Sequence, residues 1–460
     1  MPHVTGPRAP GPRGNCFAGY QRDHPRMAVR LQREYGDIVR MRIGPFLVHQ
    51  ITHPELIRHV LLDNPHNYRR GRFYEGFSAY FGRGLLTTDD EEWRRHRAVS
   101  QPVFHPSRIE ELGASMTDAA TELRDRMWKR TVRHEPFDLV AESMRYTIAV
   151  LGRSLFSADL GAHASEVTPA VQTGLGLIMQ RMNPAQRLLP TWVPTRHNRR
   201  LTASRSVLDR ILDEVIDDHL RLGRTPDGDL VSHHLGLAGN RSDPRRGLTR
   251  HEARDGLMTT FLAGHETTGT SLAWTLYTLA MNPVVRRRLE DEVDAVLGDR
   301  PATVADLPRL EYTRMVVQES LRLYPPIWLY PRDVVEDDVI GGYRLPAGSS
   351  VFMSPYATHR HPDLWENPEA FDPERFTVER SAGRPRHAYM PFGFGQRQCI
   401  GKHLALLQLQ IAVATVARSV HLHPVPGQPV TYRARVSLRP QQAPMPGVLL
   451  TAHERELVGA

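Results

Sequence analysis

Apolar residues recur at helical spacing over most of this chain. Arg22 to Tyr35 reads as an amphipathic helix, and Asp37 to Ile43 and Phe46 to Ile51 read as two paired strands around Gly44-Pro45. His53 to Leu62 returns to helix, and longer helical windows follow at roughly 109–131, 136–155, 164–182 and 199–222. The longest window, Thr249 to Met281, opens on a threonine cap and ends before Asn282-Pro283. Two more helices are predicted at about Val284 to Leu297 and Pro308 to Leu323, the second stopped by Pro325-Pro326. Short strands between Val339 and Val351 are broken by Gly341-Gly342 and Pro346-Ala347-Gly348. A loop-rich stretch from 357 to 391 leads to Cys399, after which Lys402 begins another helix. The pattern predicts a mainly α chain with small β elements. Residues 15–460 are expected to form a single domain behind a flexible, proline- and glycine-rich segment, 1–14.

Composition narrows the function classes. With 40% hydrophobic residues in 460, the chain can bury a large core. Two cysteines, Cys16 and Cys399, are too few for a disulfide framework and suit a reducing cytoplasm. The formal charge is +8, yet arginines are interleaved with acids and no aromatic-studded basic block is present. Nucleic acid is therefore not an expected partner, and an acidic protein is. No stretch reaches the ~18 apolar residues of a spanning helix, and the N-terminus carries no signal-like run.

The chemistry concentrates around Cys399, in Phe392-Gly393-Phe394-Gly395-Gln396-Arg397-Gln398-Cys399-Ile400-Gly401. A thiolate just before a helix is stabilised by the helix dipole and by free backbone N–H groups. Glycines on either side, Gly393 and Gly401 among them, let a flat ligand approach the backbone. These are the requirements of a cysteine ligating haem iron, and a structural cysteine buried in a turn is the alternative. Three further motifs stand beside it. Ala263-Gly264-His265-Glu266-Thr267-Thr268 interrupts the longest helix with residues poorly suited to a helix interior. Ala263 and Thr267 share a face there, Glu266 lies beside it, and Gly264 permits close approach by a planar ligand; a polar interruption on a solvent face is the alternative. Glu319 and Arg322 are i,i+3 neighbours, by themselves a surface ion pair. Trp93 and Arg97 are i,i+4 on a helix rich in arginine, either a solvated face or two donors for a carboxylate.

The run Phe392, Gly395, Arg397, Cys399 and Gly401 resembles, without a gap, the haem-binding signature of the cytochrome P450 family. The resemblance extends from about residue 20 to the end in the family's motif order. It implies a fold with a long central helix over a haem and a cysteine-bearing loop on the other side. It implies that Cys399 is the proximal iron ligand, that Phe392 packs near the sulfur, and that Arg397, Arg332, Trp93 and Arg97 contact haem propionates. Ala263-Gly264 would face the cofactor, haem b, while Glu266, Thr267 and Thr268 match the oxygen-activating motif. Glu319 and Arg322 would join Arg375, of Phe371-Asp372-Pro373-Glu374-Arg375-Phe376, in a buried structural network.

The activity so implied is insertion of one O₂-derived oxygen into a hydrophobic small molecule, a secondary metabolite such as a terpene or macrolide. Phe73, Leu86, Met179, Met182, Ile327 and Trp328, with Ala263 and Thr267, fall where the family builds its substrate pocket. No stretch reads as a fused flavin or iron–sulfur module, so electrons are expected from NAD(P)H through a separate ferredoxin and its reductase. Arg94, Arg95 and Lys402 would offer that ferredoxin a basic face. A soluble, cytoplasmic monomer is expected. A peroxide-dependent or isomerising haem-thiolate enzyme and a non-catalytic haem sensor or carrier are the alternatives.

Overall fold

The expected strand pair forms and seeds the largest sheet. Among the described residues the strands are β1 (Ile38–Ile43), β2 (Phe46–Ile51), β3 (Tyr68–Arg69), β4 (Phe137–Asp138), β5 (Tyr330–Val334), β6 (Asp338–Ile340), β7 (Tyr343–Leu345), β8 (Ser350–Met353), β9 (Val420–Pro424), β10 (Val430–Ala434), β11 (Leu438–Gln442) and β12 (Leu449–Glu454). The structure, a computed structural model, describes residues 6–180, 192–223, 228–238, 247–427, 429–442 and 447–455. Within the stretch expected as one domain, two compact units are distinguished. One comprises Met1–Tyr74, Gln318–Cys399 and Val436–Leu438, the other Glu75–Val317, Ile400–Arg435 and Arg439–Ala460.

The first unit is built on a five-stranded sheet of order β1-β2-β8-β5-β3. β2 and β8 pair in parallel, and the other neighbours are antiparallel. Alternation along the strands feeds two cores. Val39, Met41, Ile43, Val48 and Phe352 pack with Met27 and Leu31 of the helix Phe17–Tyr35. Ile38, Ile51, Val334, Val351 and Met353 pack with Ile57, Val60 and Met390. The helix Phe17–Tyr35 starts earlier than its periodicity indicates, because Pro25 breaks the ladder and Asp23 leaves helical geometry (φ −159°, ψ 82°). The helix expected over His53 to Leu62 is regular only over Pro54–Arg58; His59–Asp63 widens into a π-turn closed by Asn64 N–H on the His59 carbonyl at 2.8 Å.

The segment 1–14 was expected to be flexible, and its described part is pinned. Arg40 N–H donates to the Pro10 carbonyl at 2.8 Å and Arg344 N–H to that of Pro7 at 3.1 Å. Ala9 is buried in the core, and a Cβ on Gly11 would sit 1.9 Å from the Arg40 carbonyl oxygen. Prolines offer only acceptors, and strand and loop N–H groups use them.

The second unit is mainly helical. Arg250–Met281 is capped as its sequence suggests: Glu252 N–H donates to Thr249 Oγ1 and Thr249 N–H to Glu252 Oε2, a capping box. It is buried nearly all round and packs on Leu139–Leu155. That contact is close because of two glycines. A Cβ on Gly264 would lie 2.9 Å from Leu151 Cδ2, and one on Gly269 2.6 Å from the Met144 sulfur. Tyr146 OH donates to the Gln408 carbonyl at 2.7 Å, tying Lys402–Ser419 to the same helix. β4, β12 and β9 form a small sheet that the hydrophobic pattern does not announce. Among the described residues, no helix is long and apolar enough to cross a membrane.

Candidate active site

The Glu319 cluster lies wholly in the first unit. Glu319 and Arg322 sit on Glu311–Leu323 and are fully buried, which removes the surface-pair reading. Arg322 Nε donates to Glu319 Oε2 at 2.6 Å and Nη2 to Oε1 at 2.7 Å, a bidentate pair. Arg375, also buried, reaches Oε1 through Nε at 3.3 Å. The other guanidinium protons go to main-chain carbonyls. Arg322 serves His359, Pro368 and Ala370 at 2.8, 2.7 and 2.9 Å, and Arg375 serves Glu366 and, at 2.8 Å, Asn367. Burial pulls the Arg375 pKa down, and Glu319 opposes that. The cluster is a clamp on the loop from His359 to Arg375.

The cysteine loop follows it. Gly393 and Gly395 occupy left-handed backbone (φ 61° and 76°), and a Cβ on Gly395 would lie 2.5 Å from the Leu61 carbonyl oxygen. Cys399 N–H donates to the Phe392 carbonyl at 3.0 Å, closing the loop on itself. Cys399 is exposed and in no disulfide, unlike the buried structural cysteine of the alternative reading. Phe392 and Arg397 are half-buried. Tyr330 OH donates to the carbonyls of Met390 and Pro391 at 3.1 and 3.2 Å, beneath the loop. Burial raises the Tyr330 pKa, and negative charge on Cys399 adds to it. In Tyr330-Pro331-Arg332 the charge marks Arg332 as the candidate, and nothing in the sequence marks this tyrosine. Arg332 is buried and gives one donor, Nη1, to the Pro331 carbonyl at 2.7 Å. The helix Lys402–Ser419 opens at Gly401, which brings no side-chain cap to its first N–H groups.

In the second unit, Ala263 is exposed and Thr267 half-buried on the otherwise buried helix Arg250–Met281. Thr267 Oγ1 donates to the Ala263 carbonyl at 2.7 Å, and Ser271 and Thr275 repeat the pattern at 2.9 and 2.8 Å. The hydroxyls bond back as anticipated, while the helix runs without interruption. Glu266 and Thr268 are buried. Gly264 is accounted for by Leu151, so its lack of a side chain needs no ligand. His265 is fully buried and stacked on Phe261, with centroids 5.8 Å apart, and burial lowers its pKa to about 3. Arg435 of the C-terminal segment was not foreseen. Burial lowers its pKa, Arg433 and Arg439 add to this, and the nearby Glu266 carboxylate pulls it back. A Cβ on Gly176 would meet Arg435 Nη1 at 2.4 Å, so a glycine on another helix makes room for it. No local motif could announce that pairing.

Trp93 and Arg97 lie half-buried on the helix Asp90–Ser100, whose Arg94, Arg95 and Ala98 face outward. Arg95 is not a free docking charge: it is paired with Glu252. Of the pocket residues, Leu86, Met179 and Ile327 are half-buried, and Met182 lies outside the described residues. Phe73 packs edge-on against Phe352 at 5.0 Å. Trp328 is almost fully buried, edge-on to His24 at 4.8 Å, a contact that explains the tryptophan without any ligand.

The residues present fit a haem. An exposed thiol stands on a loop shaped by glycines, Arg97, Arg332 and Arg397 carry guanidinium groups of a kind suited to carboxylates, and the long helix exposes a small residue next to a hydroxyl and a buried acid. The sequence profile of the family described as Cytochrome P450 matches residues 6–443. Cyclooctatin synthase of Streptomyces melanosporofaciens is 36% identical over 407 residues, 88% of this chain and 87% of the relative. Cyclooctat-9-en-7-ol 5-monooxygenase of the same organism is 35% identical over 397 residues, 85% and 84% of the two chains. The crystal structure of the cytochrome P450DA heme domain superposes with a TM-score of 0.86 at 23% identity, covering 98% of this chain and 99% of that one. The cysteine loop, the acid–threonine helix and these likenesses converge: the chain belongs to the cytochrome P450 family and is a haem-thiolate monooxygenase.

Proposed function

We propose that this enzyme holds haem b through the Cys399 thiolate and inserts one atom of O₂ into a cyclic terpenoid hydrocarbon or alcohol. The observation that carries the reading is the Ala263–Thr267 face: an exposed small residue and a half-buried hydroxyl in the middle of a mostly buried helix, with Glu266 buried beside them. The terpenoid class is supported by the cyclic alkenol in the name of the 5-monooxygenase relative. It is also supported by the apolar character of Phe73, Leu86, Met179 and Ile327.

Haem, when bound, supplies the redox chemistry that activates O₂. The chain's residues do the rest. Cys399 would hold the haem iron through its thiolate, on a loop whose shape Gly393, Gly395 and Tyr330 fix. Arg97, Arg332, Arg397 and the Trp93 indole N–H would hold the haem propionates. Thr267 holds its hydroxyl proton on the Ala263 carbonyl and must swing it away to donate elsewhere. Glu266 is the acid that restores that proton, and the Arg435 guanidinium lies near its carboxylate. Two electrons arrive from NAD(P)H through a ferredoxin and its reductase.

The test is turnover with a generic ferredoxin and reductase, alongside difference spectra against a library of cyclic terpenes, macrolides, fatty acids and steroids. The expected result is a low-to-high-spin shift with cyclic terpenes and NAD(P)H consumption that depends on them. Shifts confined to fatty acids or macrolides, or oxidation without added substrate, would overturn the assignment.

A further inference from the structure

His359 is fully buried at the end of the clamped loop, and both of its ring nitrogens are in use. Nε2 accepts the Met390 N–H at 2.9 Å. That fixes the tautomer: Nδ1 carries the proton and donates to the Arg322 carbonyl at 3.0 Å. Arg322 answers by donating Nη1 to the His359 carbonyl at 2.8 Å. The imidazole therefore joins the arginine of the buried cluster directly to the backbone leading to Cys399. Burial lowers its pKa to about 3, consistent with a ring that must stay neutral, since a second N–H would oppose that of Met390.

Met390 is the next link. Its carbonyl accepts from Gly393 N–H at 3.1 Å and from Tyr330 OH at 3.1 Å. The loop then closes through Cys399 N–H on the Phe392 carbonyl. The residue before Met390 is held as well. Tyr389 stacks on His359 with centroids 5.5 Å apart, meets Phe376 edge-on at 4.9 Å, and donates its hydroxyl to the Gln318 carbonyl at 3.0 Å. Every contact in this chain lies within one unit of the molecule.

We propose that His359 is a positioning residue for the thiolate, carrying the register set by Glu319, Arg322 and Arg375 to the backbone that holds Cys399 in place. The cluster alone cannot do this: its outward hydrogen bonds end on the carbonyls of His359, Glu366, Asn367, Pro368 and Ala370 and on the Asp372 N–H. Among the described residues, the imidazole carries the side-chain hydrogen bond that joins His359 to the 390–399 segment. The inference rests on Cys399 being the haem ligand.

The experiment compares His359→Gln with His359→Asn in haem-loaded full-length protein. Glutamine can place an amide oxygen near the Nε2 position and accept from Met390, whereas asparagine reaches only toward Arg322. Two quantities are read: the lifetime of the thiolate-type carbon monoxide band of the reduced protein, and amide hydrogen exchange across 390–399. His359→Asn leaves the buried Met390 N–H without an acceptor, so it should shorten the band lifetime and speed exchange in that segment by about tenfold or more. His359→Gln should stay within about threefold of wild type. Equal behaviour of the two variants, or an increase in exchange spread evenly over the chain, would overturn the proposal. If neither variant loads haem, wild type decides, because a Met390 amide exchanging as fast as exposed turn amides would equally overturn it. A wild-type protein lacking the thiolate band would refute Cys399 as ligand, while Met390 exchange would still judge the His359 bond.

Discussion

Two independent constraints meet at Gly395. Its φ of 76° is open to few side chains, and a Cβ would lie 2.5 Å from a main-chain oxygen that cannot move aside cheaply. Gly395→Ala should cost more than about 1 kcal/mol and lower haem content, read by denaturant unfolding and by haem per chain. Cys399→His should replace the thiolate-type carbon monoxide band by that of histidine-ligated haem, while Cys16→Ser should leave it unchanged. Thr267→Ala removes the hydroxyl that bonds the Ala263 carbonyl but no core contact. Substrate binding and iron reduction should survive, and product per NAD(P)H should fall as hydrogen peroxide rises. The step that needs the proton should slow by about 10²-fold or more. An unchanged ratio would move the relay to Thr268. At this scale the sequence offers candidates where chemistry follows residue type and spacing, as at Cys399, Glu266 and Thr267. It was silent on Tyr330, His359 and Arg435, whose work depends on partners 31 or more residues away in the chain or on the room left by Gly176.

Among elements, the helix Glu311–Leu323 shows what burial does to an ordinary motif. Glu-x-x-Arg on a helix surface would be worth a few tenths of a kcal/mol, whereas here both side chains are fully buried. Glu319→Ala leaves two buried guanidinium groups without their shared carboxylate, a loss of roughly 3–5 kcal/mol. Little soluble, haem-loaded protein should result, and normal yield with normal haem content would refute the structural role. Long elements were readable because apolar periodicity accumulates over many turns, as in Arg250–Met281 with its capping box. The π-turn at His59–Asp63 and the strands β9 and β12 were not. A single turn adds no periodicity, and β9 owes its place to pairing with β12, whose nearest partner, Leu450, lies 26 residues beyond Pro424. Gly264 and Gly269 were noticed or passed over for reasons of their own helix, when the residues that demand them, Leu151 and Met144, sit on the helix against which it packs.

Across the whole molecule, buried histidines set the response to acid. Burial lowers the pKa of His24, His234, His265 and His359 to about 3 and that of His49 to about 4, against 6.5 for a free imidazole. A folded-state pKa below the unfolded one means that, between those values, the unfolded chain binds more protons. Stability is then full above pH 6.5 and is lost as pH falls toward 4, by up to about 1.4 kcal/mol per pH unit for each histidine. His24 separates this effect from hydrogen bonding. Its ring packs among Tyr20, Trp328 and Phe352, and neither nitrogen has a partner among the described residues. His24→Phe keeps the aromatic packing and removes one titrating group. Its stability relative to wild type, taken from urea unfolding, should therefore be about 2 kcal/mol more favourable at pH 5 than at pH 7.5. Replacing His359 would instead break two hydrogen bonds, so its variants should lose stability at both pH values. A His24→Phe difference that is the same at pH 5 and pH 7.5 would show that the His24 imidazole takes up its proton in the folded protein as readily as in the unfolded chain.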